Sequence, residues 1–284
     1  MSEAFWLVTT EHLKDGLWFK DEEDFRVGMN YVAILAATSS VQIMAFALMS
    51  NHVHFVVGCN QEDASVFIIN FKKIYSQYFA NKYSQKGLLH HNGLHFKELI
   101  IGDESFERAV AYVQMNPVAA NICLNPAGYP WGTGDSFFRA IPPKGKRIGE
   151  FSLRAVARNI HSRVLLPKNY LIDDNGVVNP YSYVNVRFVE SVFRNPGRMN
   201  YFLNNSSKAK LLKETPSFND QIILLAIKSL CISLFRKHNL SELNESQQAE
   251  ILKQIRYRFS ADPNQIARVT GIPYKTVSNM LDSI

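Results

Sequence analysis

Residues 46–57 read FALMSNHVHFVV, and this stretch decides the fold of the first half of the chain. Two β-prone runs, 41–48 and 52–58, flank the turn-forming pair Ser50-Asn51, which predicts two consecutive strands. Residues two apart on a strand point to the same face, so His52 and His54 project together while Val53 faces the core. Two neighbouring neutral imidazoles are half of a metal site, although a lone His-x-His pair is also compatible with incidental polar decoration of a strand.

The segments around this stretch predict an alternation of strands and helices. Strand character is found at 5–10 and 94–100, and helical apolar spacing is found at 21–37, at 62–83 and from 103 onward. The order is βαββαβα. That order predicts an α+β fold in which an antiparallel sheet carries its helices on one face.

Composition excludes several classes of protein. The 284 residues are 46% hydrophobic, which is enough to bury a core. Cys59, Cys123 and Cys231 are far apart and form no CxxC pair, so a disulfide framework or a cysteine zinc site is not indicated and a reducing cytoplasm fits. The first residues do not resemble a secretory signal, and polar residues interrupt the apolar run 32–49, so no membrane span is predicted.

Charge is distributed unevenly between the two halves. Residues 1–140 carry 10 Lys and Arg against 14 Asp and Glu, whereas residues 141–284 carry 21 against 11. A surface that attracts a polyanion is therefore predicted in the second half. An ordinary basic surface without a ligand is the alternative.

A second group of residues with chemical potential lies in AVAYVQMNPVAANI, residues 109–122. Tyr112 and Asn116 are four apart and share one face of the predicted helix, and Pro117 is expected to kink or end it. A phenol on this face can attack a phosphodiester and form a covalent 5′-phosphotyrosine, while a cation held nearby polarises the phosphate. The alternative is that Tyr112 is a half-buried aromatic residue of the helix.

Five segments together resemble the REP-associated and related single-tyrosine HUH transposases. The resemblance covers roughly residues 5–140, in matching order and spacing. It rests on MSNHVHFVV (49–57), YVQMNPVAA (112–120), LWFKDEEDF (17–25), GLHFKELII (93–101) and GYPWGTGDSF (128–137).

The resemblance implies a ferredoxin-like palm that acts on single-stranded or hairpin DNA with a divalent metal, Mg²⁺ or Mn²⁺. Carried over by position, it makes His52 and His54 metal ligands, Tyr112 the nucleophile and Asn116 the third protein ligand. The sequence departs from the family at three positions. Family members commonly have a proline where Ser50 stands, a histidine or glutamate near Gln114, and a basic residue near Ala119.

Other residues are candidates for DNA contact or compete for the same roles. The helix 62–83 carries Lys72, Lys73 and Lys82 among aromatic residues, a combination found in proteins that bind single strands, although core packing explains its apolar spacing equally well. Tyr75, Tyr78 and Tyr83 on this helix are weaker candidates for the nucleophile. The group His90, His91 and His95 has no matching carboxylate, so we expect solvated or packing roles there.

The second half of the chain predicts a mainly helical region. IPPKGKR (141–147) indicates a domain boundary near residue 140, followed by a linker and helical region of unknown role up to residue 245. Residues 246–284 resemble a helix-turn-helix, with a turn at Gly271, although any three-helix bundle shows a similar pattern. If its last helix enters duplex DNA, the contact residues are Tyr274, Lys275, Thr276, Ser278 and Asn279.

The sequence leaves three functions to compare. A transposase that cuts and rejoins single-stranded DNA with Tyr112 uses all the motifs. A DNA-binding regulator with a catalytically idle palm uses only the C-terminal module. A hydrolase in which the metal activates water needs a further carboxylate ligand, for which no motif is present. Two questions stay open: whether the protein forms a homodimer, and whether Tyr112 acts with the metal of its own subunit or of another.

Overall fold

The computed structural model describes residues 4–14, 16–87, 89, 92–208 and 218–282. Its main sheet has four strands in the order β2-β3-β1-β4, and each neighbouring pair is antiparallel. The strands are β1 (Phe5–Thr10), β2 (Gln42–Met49), β3 (His52–Gly58) and β4 (Leu94–Leu99). This arrangement confirms the predicted α+β fold with a ferredoxin-like palm.

Helices cover both faces of this sheet, so the expectation of helices on one face is wrong. Helices α1 (Glu22–Thr38) and α2 (Gln61–Tyr83) pack together on one face, and α3 (Ser105–Ala119) lies on the other. The reason is visible in β3, where every residue is buried. A strand that is buried on both faces has a cover on each side.

The segment that follows the palm packs against it. The elements of this segment are α4 (Leu153–Asn159), α5 (Val186–Phe193), α6 (Pro196–Asn204) and a two-stranded sheet of β5 (Lys146–Arg147) and β6 (Leu171–Ile172). Side chains from α4 and from 160–186 are part of the hydrophobic core between the sheet and helices α1 and α2. Side chains from α5 and α6 are part of the core between the sheet and α3. The domain boundary near residue 140 stays a prediction.

One buried side chain connects the palm to this segment. Asn30 of α1 has 0% exposure, and its amide nitrogen donates to the carbonyl oxygens of Asn159 at 3.1 Å and Gly176 at 2.9 Å. Its side-chain oxygen accepts from the backbone N–H of Val178 at 2.8 Å. Three backbone groups therefore depend on one amide, which no apolar residue can replace.

The C-terminal unit is a helical cluster with its own core. It contains α7 (Asp220–Phe235), α8 (Glu245–Phe259), α9 (Pro263–Thr270) and α10 (Tyr274–Asp282). Gly271 ends α9 with a φ of +72°, a conformation that glycine adopts without strain, and α10 begins three residues later. None of the helices described is long and apolar enough to cross a membrane.

We predict that Asn30→Ala lowers the free energy of unfolding by about 3 kcal/mol, because it leaves buried backbone groups without partners. Urea unfolding monitored by circular dichroism measures this change. Asn81→Ala is the matched control, because Asn81 is exposed on α2, and its effect should stay within about 0.5 kcal/mol. Equal effects of the two substitutions would contradict the structural role of Asn30.

Candidate active site

The two histidines of β3 face α3 with their ring orientation fixed. His52 Nδ1 lies 2.8 Å from Asn51 Oδ1, and His54 Nδ1 lies 3.0 Å from Thr9 Oγ1 on the neighbouring strand β1. Their rings are almost perpendicular, with centroids 4.6 Å apart. Both Nε2 atoms are buried and have no hydrogen-bond partner among the residues described.

The tautomer of His52 follows from its neighbour. Asn51 Nδ2 donates to the Leu13 carbonyl oxygen at 2.9 Å, so the amide oxygen is the atom that faces His52. Because an amide oxygen only accepts, His52 Nδ1 must carry the proton, which leaves a lone pair on Nε2. A hydrogen bond to Nδ1 that orients Nε2 is the usual support of a histidine metal ligand.

Burial keeps both histidines neutral. It lowers the pKa of His54 to about 3. The charges of Lys208 and His12 lower this pKa further, whereas the Asn116 side chain raises it. Burial also lowers the pKa of His52 well below the usual value, and the charges on neighbouring groups act in the same direction. Neutral imidazoles are the form that binds a metal.

Helix α3 brings the predicted nucleophile to this pair. The Tyr112 ring meets the His54 ring edge to face, with centroids 5.4 Å apart. One turn later, Asn116 Nδ2 donates to the Tyr112 carbonyl oxygen at 2.8 Å, which leaves the amide oxygen of Asn116 available. The helix continues two residues past Pro117 and ends at Ala119. The structure thus places His52, His54, Tyr112 and Asn116 at one site.

These residues fit a divalent metal ion. Two unpartnered imidazole nitrogens and one amide oxygen provide three neutral donors, a set compatible with Mg²⁺ or Mn²⁺ only if further oxygens come from substrate or water. Within the described ranges, no group of three His, Cys, Asp or Glu residues could hold a metal. Asn116 as the third protein ligand stays a prediction.

His12 lies beside the candidate site, although no sequence motif pointed to it. Its ring stacks on His52 with centroids 3.7 Å apart and an angle of 13° between the planes. Burial lowers the pKa of His12, and Lys208 and Arg268 lower it further. His12 follows β1 and His52 begins β3; because these strands are antiparallel neighbours, their pairing register is the signal that would have found it.

The C-terminal unit closes one side of the site. Asp220, at the start of α7, accepts a hydrogen bond from the Ser50 hydroxyl at 2.5 Å. Arg268 of α9 binds the same carboxylate through Nε at 2.8 Å and Nη2 at 3.0 Å. A pocket of about 200 Å³ remains between the palm and this unit; its lining includes His12, Ser50, His52, Asp220, Gln265 and Arg268.

The lysines predicted on α2 lie on the sheet face opposite to the histidines. Lys73 is exposed, whereas the Lys72 ammonium donates to the Asn92 carbonyl oxygen. The Lys82 ammonium is bound by three carboxylates at 2.8 to 2.9 Å, those of Asp21, Glu23 and Asp24. The charge of Lys82 is thus compensated within the palm, and a DNA contact from this helix stays a prediction that rests mainly on Lys73.

The polar residues predicted on α10 lie on its outer side. Tyr274, Lys275 and Asn279 are exposed, and Thr276 and Ser278 are half-buried, while the opposite side packs into the core of the C-terminal unit. Of the remaining histidines, His95 is exposed, with Nε2 3.7 Å from a Glu11 carboxylate oxygen. His90 and His91 lie outside the described residues.

The low histidine pKa values predict a loss of stability in mild acid. In the unfolded chain, His54 takes up a proton when the pH falls below its ordinary pKa of 6.5. In the folded chain, the His54 imidazole stays neutral until about pH 3. The unfolded state therefore binds more protons, and His54 alone should lower the free energy of unfolding by about 2 kcal/mol between pH 7 and pH 5. Urea unfolding in the presence of chelator at both pH values measures this.

The variant His54→Gln should show a smaller loss over the same pH interval. His238→Gln serves as the control, because His238 is exposed and its substitution removes no buried imidazole. If the free energy of unfolding of His54→Gln depends on pH as strongly as that of the wild type, the conclusion that His54 is buried and neutral is wrong.

Part of the chain is similar to a known protein family. Residues 18–116 match the family model described as "Transposase IS200 like", and the matched range contains all four predicted site residues. No curated protein matches the chain. A solved structure of a REP-associated tyrosine transposase bound to a REP hairpin shows 14% identity and a TM-score of 0.37, and the match covers 58% of this chain and 86% of that one. The resemblance inferred from the motifs is therefore confirmed, since residues 18–116 of the chain match the IS200-like transposase family.

Proposed function

We propose that this protein is a metal-dependent endonuclease and strand transferase that cuts single-stranded DNA at hairpins through a covalent phosphotyrosine. The observation that carries the proposal is the pair of buried, unpartnered Nε2 atoms of His52 and His54 beside the Tyr112 ring. All three residues lie in the segment that matches the transposase family. The hairpin preference follows from the resemblance of the motifs.

The residues that would hold the metal are His52 and His54, through Nε2, and Asn116, through Oδ1. When bound, a divalent ion supplies charge that polarises the phosphate and stabilises the transition state. The neutral state of the imidazoles and the fixed ring of His52 support this role, because neither ligand has to lose a proton or turn before binding.

The chemical step itself belongs to Tyr112. Its phenol oxygen forms a bond to phosphorus while the bond from phosphorus to the 3′-oxygen breaks, which yields a 5′-phosphotyrosine and a free 3′-hydroxyl. Burial raises the pKa of Tyr112, so the phenol starts protonated. Its proton passes to solvent as the new bond forms, and the leaving 3′-oxygen takes up one proton from solvent. Attack of a 3′-hydroxyl on the phosphotyrosine reverses the step and rejoins strands.

We predict that the protein forms a covalent adduct with a labelled hairpin oligonucleotide in Mn²⁺, and that Tyr112→Phe abolishes it, because phenylalanine has no nucleophilic oxygen. Denaturing gel electrophoresis of a panel of hairpins detects the adduct. Tyr257→Phe is the matched control, since Tyr257 is 89% exposed on α8 and should leave adduct formation unchanged.

Chelator should prevent the adduct, and His52→Ala should lower its rate of formation by at least about 100-fold, in line with the loss of a group that stabilises the transition state. No adduct with any hairpin would refute the cutting activity. An adduct that persists in Tyr112→Phe would refute the nucleophile.

A second candidate function is a DNA-binding regulator that keeps the palm as a scaffold. The observation that favours it is the arrangement of α9 and α10, two short helices joined at Gly271, with Tyr274 and Lys275 exposed at the start of the second helix. This arrangement resembles a helix-turn-helix, in which the second helix contacts duplex DNA.

The regulator predicts duplex binding that chelator does not change, without any adduct. Lys275→Ala should then weaken duplex binding and reduce the slope of log K against log salt by about 1, because one phosphate contact is lost. Fluorescence anisotropy over a salt series measures the slope, and Lys228→Ala on the exposed side of α7 is the control. An unchanged slope in Lys275→Ala would argue against DNA contact by α10.

A further inference from the structure

A lysine from outside the family segment lies at the nucleophile. Lys208 follows α6, and its Nζ atom lies over the Tyr112 ring, 4.9 Å from the centroid. Its positive charge also contributes to the lowered pKa values of His12, His52 and His54. The ammonium group therefore lies close to the proposed nucleophile and to the proposed metal ligands at once.

Within the described part of the chain, no acidic side chain compensates the charge of Lys208. The other cation near the histidines, Arg268, is bound on two nitrogens by Asp220. Among the residues described, no carboxylate lies within ion-pair distance of Lys208. The lysine is half-buried as well, and burial lowers its pKa.

A partly desolvated cation without a counter-ion is unfavourable, and an anionic ligand offsets that cost. The position of the Lys208 ammonium group indicates which anion binds there. A group that meets Nζ here must also lie beside the Tyr112 ring, where the phosphodiester has to lie if the phenol oxygen attacks phosphorus. Lysine binds phosphate oxygens as a compact point charge with three donors.

We propose that Lys208 is a catalytic residue that binds a non-bridging oxygen of the phosphate attacked by Tyr112; this inference rests on the proposed function. In the step, the phenol oxygen bonds to phosphorus and releases its proton to solvent, the bond to the 3′-oxygen breaks, and the 3′-oxygen takes a proton from solvent. Lys208 keeps its protons and stabilises the negative charge on the phosphate. The second half of the chain thereby supplies part of the reaction centre.

The structural alternative is that Lys208 only packs on the Tyr112 ring through a cation–π contact. Both roles predict slower cleavage when the lysine is removed, so activity alone does not separate them. Contact with a phosphate, in contrast, contributes to the salt dependence of DNA binding, which a packing role leaves unchanged. Each phosphate contact in a single strand contributes about 0.7 to the slope of log K against log salt.

The first measurement uses the full-length Tyr112→Phe protein in chelator, so that neither cleavage nor metal binding contributes. Anisotropy of a labelled hairpin oligonucleotide with a single-stranded flank gives the slope over a salt series. We expect Lys208→Gln to reduce the slope by about 0.7. Lys208→Arg should retain it, because the charge remains, and Lys228→Ala on the exposed side of α7 should not change it.

The second measurement follows adduct formation in a single turnover with Mn²⁺ and saturating hairpin. Lys208→Gln should lower the rate by about 100-fold, and Lys208→Arg should recover part of it. An adduct with an unchanged salt slope in Lys208→Gln overturns the inference and leaves the proposed function standing. A reduced slope with no adduct in any protein supports the phosphate contact and refutes the proposed function instead. Absence of all single-strand binding overturns both.

Discussion

The burial of β3 on both faces is the constraint on which the rest of the structure depends. Its alternate residues separate two cores: Val53, Phe55 and Val57 face α1 and α2, and His52, His54 and Val56 face α3. Because the period of a strand is two, both histidines must share the α3 side. Polar groups in a buried layer usually have hydrogen-bond partners. Both Nδ1 atoms have one, whereas both Nε2 atoms are without a partner among the described residues.

The neighbours of the histidines prepare them for one role. Thr9 comes from the strand on one side, and Asn51 comes from the turn before β3, so ordinary sheet geometry supplies both Nδ1 partners. Burial then keeps the rings neutral over the physiological range. The orientation and the protonation state of the two rings are therefore set by the protein itself, and preorganisation of this kind reduces the cost of binding a ligand.

Docking of the C-terminal unit depends on a position where the sequence departs from the family it resembles. Ser50, where proline is common, donates to Asp220, and that carboxylate also binds Gln265 and Arg268 of α9. A proline has no hydroxyl to make this bond. Gln221 adds a second link to the palm, since its amide donates to the Phe19 carbonyl oxygen at 2.9 Å. The added half of the chain thus contacts the active-site turn itself.

The sequence by itself determined the local elements and which residues meet at the candidate site. Period-two and helical spacing and the motifs around His52 and Tyr112 predicted the βαββαβα order and the four residues that converge. Only the tertiary structure decided that α3 covers the opposite face of the sheet, that His12 stacks on His52, and that Lys208 reaches Tyr112 from nearly a hundred residues away. The physical reason is that periodicity and capping act within a few residues, whereas these contacts depend on strand pairing and on the packing of distant segments.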